Sequence, residues 1–154
     1  MKINQKLPDI EFIVGENIII KSKDLLGKKV IIYFYPKDNT PGCTQEAIDF
    51  SANIKKFDKI DVKIIGVSKD SLKKHKNFKS KYNLSFPLAS DENGKICEIF
   101  NVWVEKSMYG KTYMGVVRTT YLINPDGNIA EAWTKVKAKG HAESVLERLV
   151  ELKG

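Results

Sequence analysis

The sequence is poor in residues that staple or ligate: its 154 residues include two cysteines, Cys43 and Cys97, and two histidines, His75 and His141. Two cysteines behind a start, Met1-Lys2-Ile3-Asn4-Gln5-Lys6, without an apolar signal core exclude a disulfide-rich secreted scaffold. They argue for thiol chemistry in a cytoplasmic protein. The histidines are too few, and too far apart in sequence, to build a metal site with the cysteines. No apolar run approaches membrane-spanning length. With no internal repeat, low-complexity tract or linker, the chain reads as one domain over residues 1–154. That length buries a substantial core without staples.

Positive charge is in excess, with 26 Lys and Arg against 19 Asp and Glu, a formal +7. Such a balance makes nucleic-acid or membrane association worth weighing. The lysines between Lys55 and Lys81 are scattered over two predicted helices and a strand, and Phe57, Phe78 and Tyr82 fall on apolar stripes instead of among them. A solvated basic surface, with neither nucleic acid nor membrane as partner, is the simpler expectation.

Ile10–Val14 and Ile18–Ile20, separated by Gly15-Glu16-Asn17, predict an N-terminal hairpin. Val30–Tyr35 is the strongest apolar run and reads as a buried central strand. A helix is expected from Cys43 to about Lys59, and a second buried strand at Val62–Val67. The next helix is marked by Leu72, His75, Phe78 and Tyr82, and a short one covers Lys95–Phe100. Ser107–Val116 reads as a glycine-punctuated loop. Strands at Arg118–Ile123 and Ile129–Val136 flank the turn Asn124-Pro125-Asp126-Gly127, and a last helix carries Val145, Leu146, Leu149 and Leu152. This order fits a thioredoxin-like α/β sandwich, a central mixed sheet flanked by helices.

The turn after the central strand holds the chemistry. Thr40-Pro41 is a helix-start signal, with threonine as N-cap and proline at the first helical position. Cys43 then sits at the third position, where the helix dipole and unpaired N–H groups favour thiolate. It also begins the apolar stripe Ala47, Phe50, Ile54, Phe57. Lowering a thiol's pKa by ~2 takes roughly 2.7 kcal/mol, whereas a helix terminus gives ~0.3–1. A cation at ~4 Å supplies up to ~4 kcal/mol at an effective dielectric of ~20, so one is needed. The plainer alternative is a buried, inert cysteine in an ordinary turn.

Pro36-x-x-x-Thr40-x-x-Cys43 resembles the peroxiredoxin active-site motif, and Thr40-Pro41-Gly42-Cys43-Thr44 with Glu46 resembles the PrxQ, or bacterioferritin comigratory protein, subgroup. The likeness continues through Phe86-Pro87-Leu88, Ser90-Asp91, Gly94-Lys95, Val102-Trp103, and Gly110 to Ile123. It implies a thiol-dependent peroxidase of peroxiredoxin fold, a monomer without metal or organic cofactor. Cys43 would attack hydrogen peroxide or a small organic hydroperoxide and pass through a sulfenic acid. Thioredoxin, glutaredoxin or a low-molecular-weight thiol would restore it. The same resemblance makes Arg118 the cation beside Cys43 and Thr40 the group that orients the peroxide. Pro36 would shape the turn, Gly42 and Cys43 would offer backbone N–H groups, and Glu46 would join the hydrogen-bond network.

Each assignment has a plainer counterpart: Arg118 a surface residue at a strand edge, Glu46 a solvated helix carboxylate, His75 part of an apolar stripe. The resemblance also departs at the second thiol. The position five residues after Cys43, where the family commonly has a resolving cysteine, is Ile48; the place of another variant is Lys79. Cys97 is either an atypical resolving thiol or a small buried filler. Cys43-Thr44-Gln45-Glu46 lacks the second cysteine of Cys-x-x-Cys, against a thioredoxin-type exchange enzyme. A basic binding or holdase module with a redox-sensing thiol is the alternative from another class.

Overall fold

The apolar run Val30-Ile31-Ile32-Tyr33-Phe34 requires a strand covered on both faces. The computed structural model, which describes residues 1–153, places it in the middle of the main sheet. The chain runs β1 (Glu11–Gly15), β2 (Ile18–Lys21), β3 (Lys29–Phe34), α1 (Pro41–Ala52), α2 (Ile54–Lys59), β4 (Val62–Ser68) and α3 (Leu72–Tyr82). It continues as β5 (Leu88–Ser90), α4 (Lys95–Ile99), β6 (Trp103–Met108), β7 (Lys111–Val116), β8 (Thr119–Ile123), β9 (Ile129–Trp133) and α5 (His141–Lys153).

The main sheet has the order β5-β4-β3-β8-β9. β3, β4 and β5 are parallel, and β8 runs antiparallel to both β3 and β9. The expected mixed sheet and N-terminal hairpin (β1 with β2) are both present. Alternation along β3 sends Val30, Ile32 and Phe34 to one face, against Ile10, Phe12, Cys97 and Phe100. Ile31 and Tyr33 go to the other, where Phe50, Phe57, Phe78, Val145 and Leu149 arrive from the helices. Each such fully buried side chain contributes about 1.5–3 kcal/mol. Among the described residues, no helix is long and apolar enough to cross a membrane.

Two elements differ from expectation. The single helix expected from Cys43 to Lys59 breaks at Asn53 (φ −99°, ψ 6°). There the Asn53 amide donates to the Asp49 carbonyl at 2.8 Å, and the Asn53 carbonyl accepts from Lys56 and Phe57 to start α2. A short polar side chain has competed with its own backbone N–H for the Asp49 carbonyl. The supposed loop Ser107–Val116 is instead part of the hairpin β6–β7, with Met108 opposite Lys111. Its two-residue turn puts Tyr109 and Gly110 at positive φ (53° and 77°), matching the strand twist.

Candidate active site

The turn between β3 and α1 is built by local chemistry. Tyr35 prolongs the β3 pairing by donating its N–H to the Val67 carbonyl, and Asn39 takes the left-handed conformation (φ 62°). Thr40 is the residue before α1 in extended geometry, and its carbonyl accepts from Thr44 at 2.8 Å. The expected side-chain cap is absent, however. The Thr40 hydroxyl turns outward and donates to the Lys37 carbonyl at 2.9 Å, closing the turn instead of the helix. Pro41 and Gly42 follow, and Cys43 lies in the first turn of α1, only 1% exposed.

Arg118, between β7 and β8, reaches the turn from the neighbouring strand. Its Nη2 donates to Cys43 Sγ at 3.3 Å and its Nη1 donates to Glu46 Oε1 at 2.6 Å. Gly42 makes this approach possible: a Cβ there would stand 3.2 Å from Arg118 Nη2. The Glu46 side chain is fully buried, which rules out a solvated helix carboxylate. Burial pushes its carboxyl up to about 7, against the attraction of Arg118. For Arg118, burial works against the charge, but Glu46 and Cys43 outweigh it and hold the guanidinium above its usual value. Arg118 therefore stays cationic, and Glu46 is the member of the pair that titrates near neutrality.

Two polar atoms on this inner side, Glu46 Oε2 and the Tyr33 hydroxyl, are buried with no hydrogen-bond partner among the described residues. Burial, then the charges of Glu46 and Cys43, raise the Tyr33 phenol well above its ordinary value. His141 bonds to the Thr120 hydroxyl at 2.7 Å, and burial followed by the charge of Arg118 lowers it to about 4.

Lys106 is a second cation that the sequence reading missed, because it lies on β6 just before the stretch Ser107–Val116 taken for a loop, where no strand was expected. Its ammonium donates to the Val116 carbonyl at 2.5 Å, and burial and the charge of Arg118 lower it while Cys43 pulls it up. Gly115 leaves the room, since a Cβ there would meet Lys106 Cδ at 3.1 Å. Recognising Tyr109-Gly110 as a hairpin turn would have exposed this residue. Beside it opens a cavity of about 430 Å³, lined by Pro36, Lys37, Trp103, Lys106, Met114 and Val116 among others.

A buried polar network behind the turn was also missed. Tyr35 donates its hydroxyl to Asp38 Oδ1 at 2.6 Å, and His75 Nδ1 lies 2.6 Å from Asp38 Oδ2. His75 Nε2 lies 3.0 Å from the Ala89 carbonyl, and the Asp38 N–H donates to Asp70 Oδ2 at 2.8 Å. His75 is thus not simply one more member of an apolar stripe. Among the described residues, Asp38, Asp70 and His75 form a group whose ligand atoms lie within 4.8 Å. Those atoms are engaged with one another, with Ser68 and with the backbone, so the cluster is explained by hydrogen bonds.

Cys97 is fully buried on α4 and donates its N–H to Asp91 Oδ2 at 2.9 Å. Burial, then the bond and charge of Asp91, push its thiol far above the usual range. It packs with Val30, Ile32 and Phe34, whereas Cys43 packs with Ile31, Tyr33 and Tyr35. The sheet stands between the two sulfurs. Ile48 is partly exposed on α1, and no cysteine occupies either family position for a partner.

Residues 3–132 match the model of the AhpC/TSA family. The chain is 45% identical over 152 residues to peroxiredoxin Bcp of Bacillus subtilis, covering 99% of this chain and 97% of that one. Among solved structures, it is similar to the Xanthomonas campestris bacterioferritin comigratory protein described in trapped intermediate and ligand complexes for its alkyl peroxide reduction activity. That likeness has a TM-score of 0.89 and 43% identity, over 94% of this chain and 92% of the other. A mutant of PrxQ from Xylella fastidiosa superposes with a TM-score of 0.95 at 37% identity, over 100% and 98%.

Proposed function

Because this chain belongs to the AhpC/TSA family, among the Bcp/PrxQ peroxiredoxins, and is a thiol-dependent peroxidase, we propose that Cys43 is its peroxidatic residue and Arg118 its activating cation. The observation that carries this is the Arg118 N–H donated to Cys43 Sγ at 3.3 Å in the first turn of a helix. A guanidinium and a helix start together stabilise the sulfur anion, and both are preorganised.

The Cys43 thiolate attacks the nearer oxygen of a hydroperoxide. An S–O bond forms, the O–O bond breaks, and the departing alkoxide or hydroxide takes up a proton to leave as alcohol or water. Arg118 and the backbone N–H groups of Gly42 and Cys43 hold the peroxide oxygens. The Thr40 hydroxyl, released from Lys37, orients them; Pro36 keeps water away. The cavity beside Lys106 accommodates the organic part of a small hydroperoxide, with hydrogen peroxide as the smallest substrate. Glu46 sets the angle of the guanidinium instead of accepting the thiol proton, since a second negative charge would disfavour the thiolate.

The resulting sulfenic acid is reduced by an external thiol: thioredoxin, glutaredoxin or a low-molecular-weight thiol. The first thiol forms a mixed disulfide and releases water, and a second restores Cys43. Cys97 is a packing residue in this scheme. The protein works as a cytoplasmic monomer, which size-exclusion chromatography checks. Cys43→Ser is expected to abolish peroxide consumption in a coupled assay with a thiol donor, and substantial remaining turnover would end the assignment.

A further inference from the structure

We propose that His75 is a positioning residue for the peroxidase turn, acting through Asp38 to fix where Thr40 and Cys43 stand. The inference rests on Cys43 being the residue that peroxide oxidises. Asp38 lies in the turn itself, three residues before the helix start at Pro41. It is held at three points: by the Tyr35 hydroxyl at Oδ1, by His75 at Oδ2, and by its own N–H on Asp70. Both Asp38 and His75 are buried. Between Asp38 and Thr40 stands Asn39, in a conformation that L-residues rarely adopt. A turn with that geometry keeps its shape when its flanks are tied down, and Asp38 is the tie on the strand side.

Hydrogen-bond bookkeeping shows what His75 does. The Ala89 carbonyl only accepts, so Nε2 carries a hydrogen and donates to it. The 2.6 Å contact between Nδ1 and Asp38 Oδ2 also needs a hydrogen, whichever atom it resides on. Both ring nitrogens are therefore committed, one to β5 and one to the turn. His75 spans from β5, the second parallel strand away from β3, to the turn that leads into the helix carrying Cys43. It touches neither the sulfur nor Arg118, so its effect on the reaction passes through the placement of Asp38.

Two amides separate the two bonds. In His75→Asn the amide nitrogen is two bonds from Cβ, as Nδ1 is, and keeps the donor to Asp38 while losing Ala89. In His75→Gln it is three bonds away, as Nε2 is, and keeps Ala89 while losing Asp38. The measurement is the second-order rate of Cys43 sulfenic acid formation with hydrogen peroxide, by rapid quench and mass spectrometry, alongside thermal melting. His75→Gln is expected to slow that step by about tenfold or more, since a displacement of ~1 Å in a reacting group costs on the order of 100-fold. His75→Asn is expected to stay close to wild type, although both variants lose one buried hydrogen bond and melt earlier by similar amounts.

Equal slowing in the two variants, a slower Asn than Gln variant, or an unslowed Gln variant would overturn the proposal. Should neither variant fold, Tyr35→Phe removes the hydroxyl that bonds Asp38 at 2.6 Å and lies 3.4 Å from His75 Nδ1. It is expected to slow oxidation severalfold, and an unchanged rate would overturn the proposal equally. Failure of the underlying reading shows differently: wild-type Cys43 would itself not be oxidised.

Discussion

Arg118 reaches Cys43 by passing over Gly42, with the guanidinium 3.2 Å from where a Cβ would begin. The glycine is there for that approach, because its helical position demands no unusual backbone. Gly42→Ala improves helix propensity by up to ~1 kcal/mol, so the variant is expected to melt no earlier than wild type. Its methyl group displaces the guanidinium by a few tenths of an ångström, and oxidation of Cys43 slows severalfold. Stopped-flow kinetics beside a melting curve reads both, and an unchanged rate would show that the contact is slack. At this scale the sequence was informative where residues act within one turn. Thr40, Pro41 and Cys43 announce a helix start by adjacency alone. The direction of the Thr40 hydroxyl was not legible, because it depends on where the Lys37 carbonyl folds back. Nor was the Asp38–His75 bond, which joins residues on separate elements.

Elements repeat that division. β3 was readable because burial on both faces leaves an unbroken apolar run, which few other structures need. β6 and β7 were not, because the hairpin is largely solvent-exposed and its alternation is polar, so glycines dominated the pattern. The cost was Lys106. The sheet itself carries a prediction about the two thiols. Cys43 and Cys97 belong to clusters on opposite faces of β3, and a disulfide needs Cα atoms about 4.4–6.8 Å apart. Treatment with one equivalent of peroxide is therefore expected to yield Cys43 sulfenic acid and no Cys43–Cys97 bond. Non-reducing mass spectrometry of the native protein decides it, and a linked peptide would restore Cys97 as the resolving thiol.

For the molecule as a whole, two buried groups set opposing pH slopes. Glu46 is raised from an ordinary 4.5 to about 7, so between those values the folded chain binds more protons and stability falls as pH rises. His141 is lowered from 6.5 to about 4, so in that window the unfolded chain binds more protons and stability falls as pH drops. The displacements are similar in size, and they oppose each other between 4.5 and 6.5. Glu46→Gln leaves the histidine slope uncompensated. Relative to wild type, its melting temperature is expected to decline more steeply as pH falls through this range. Parallel melting curves for the two proteins would remove Glu46 from that role.

The guanidinium of Arg118 is a counter-ion shared by two acids, Glu46 and Cys43. On the proposed reading, oxidation leaves the Glu46 end of this pair untouched: Nη1 keeps its 2.6 Å bond to Oε1 while the sulfur facing Nη2 changes. The guanidinium is therefore anchored at one end through the whole cycle, and the end that meets first the peroxide and then the reducing thiol starts each turnover from the same place.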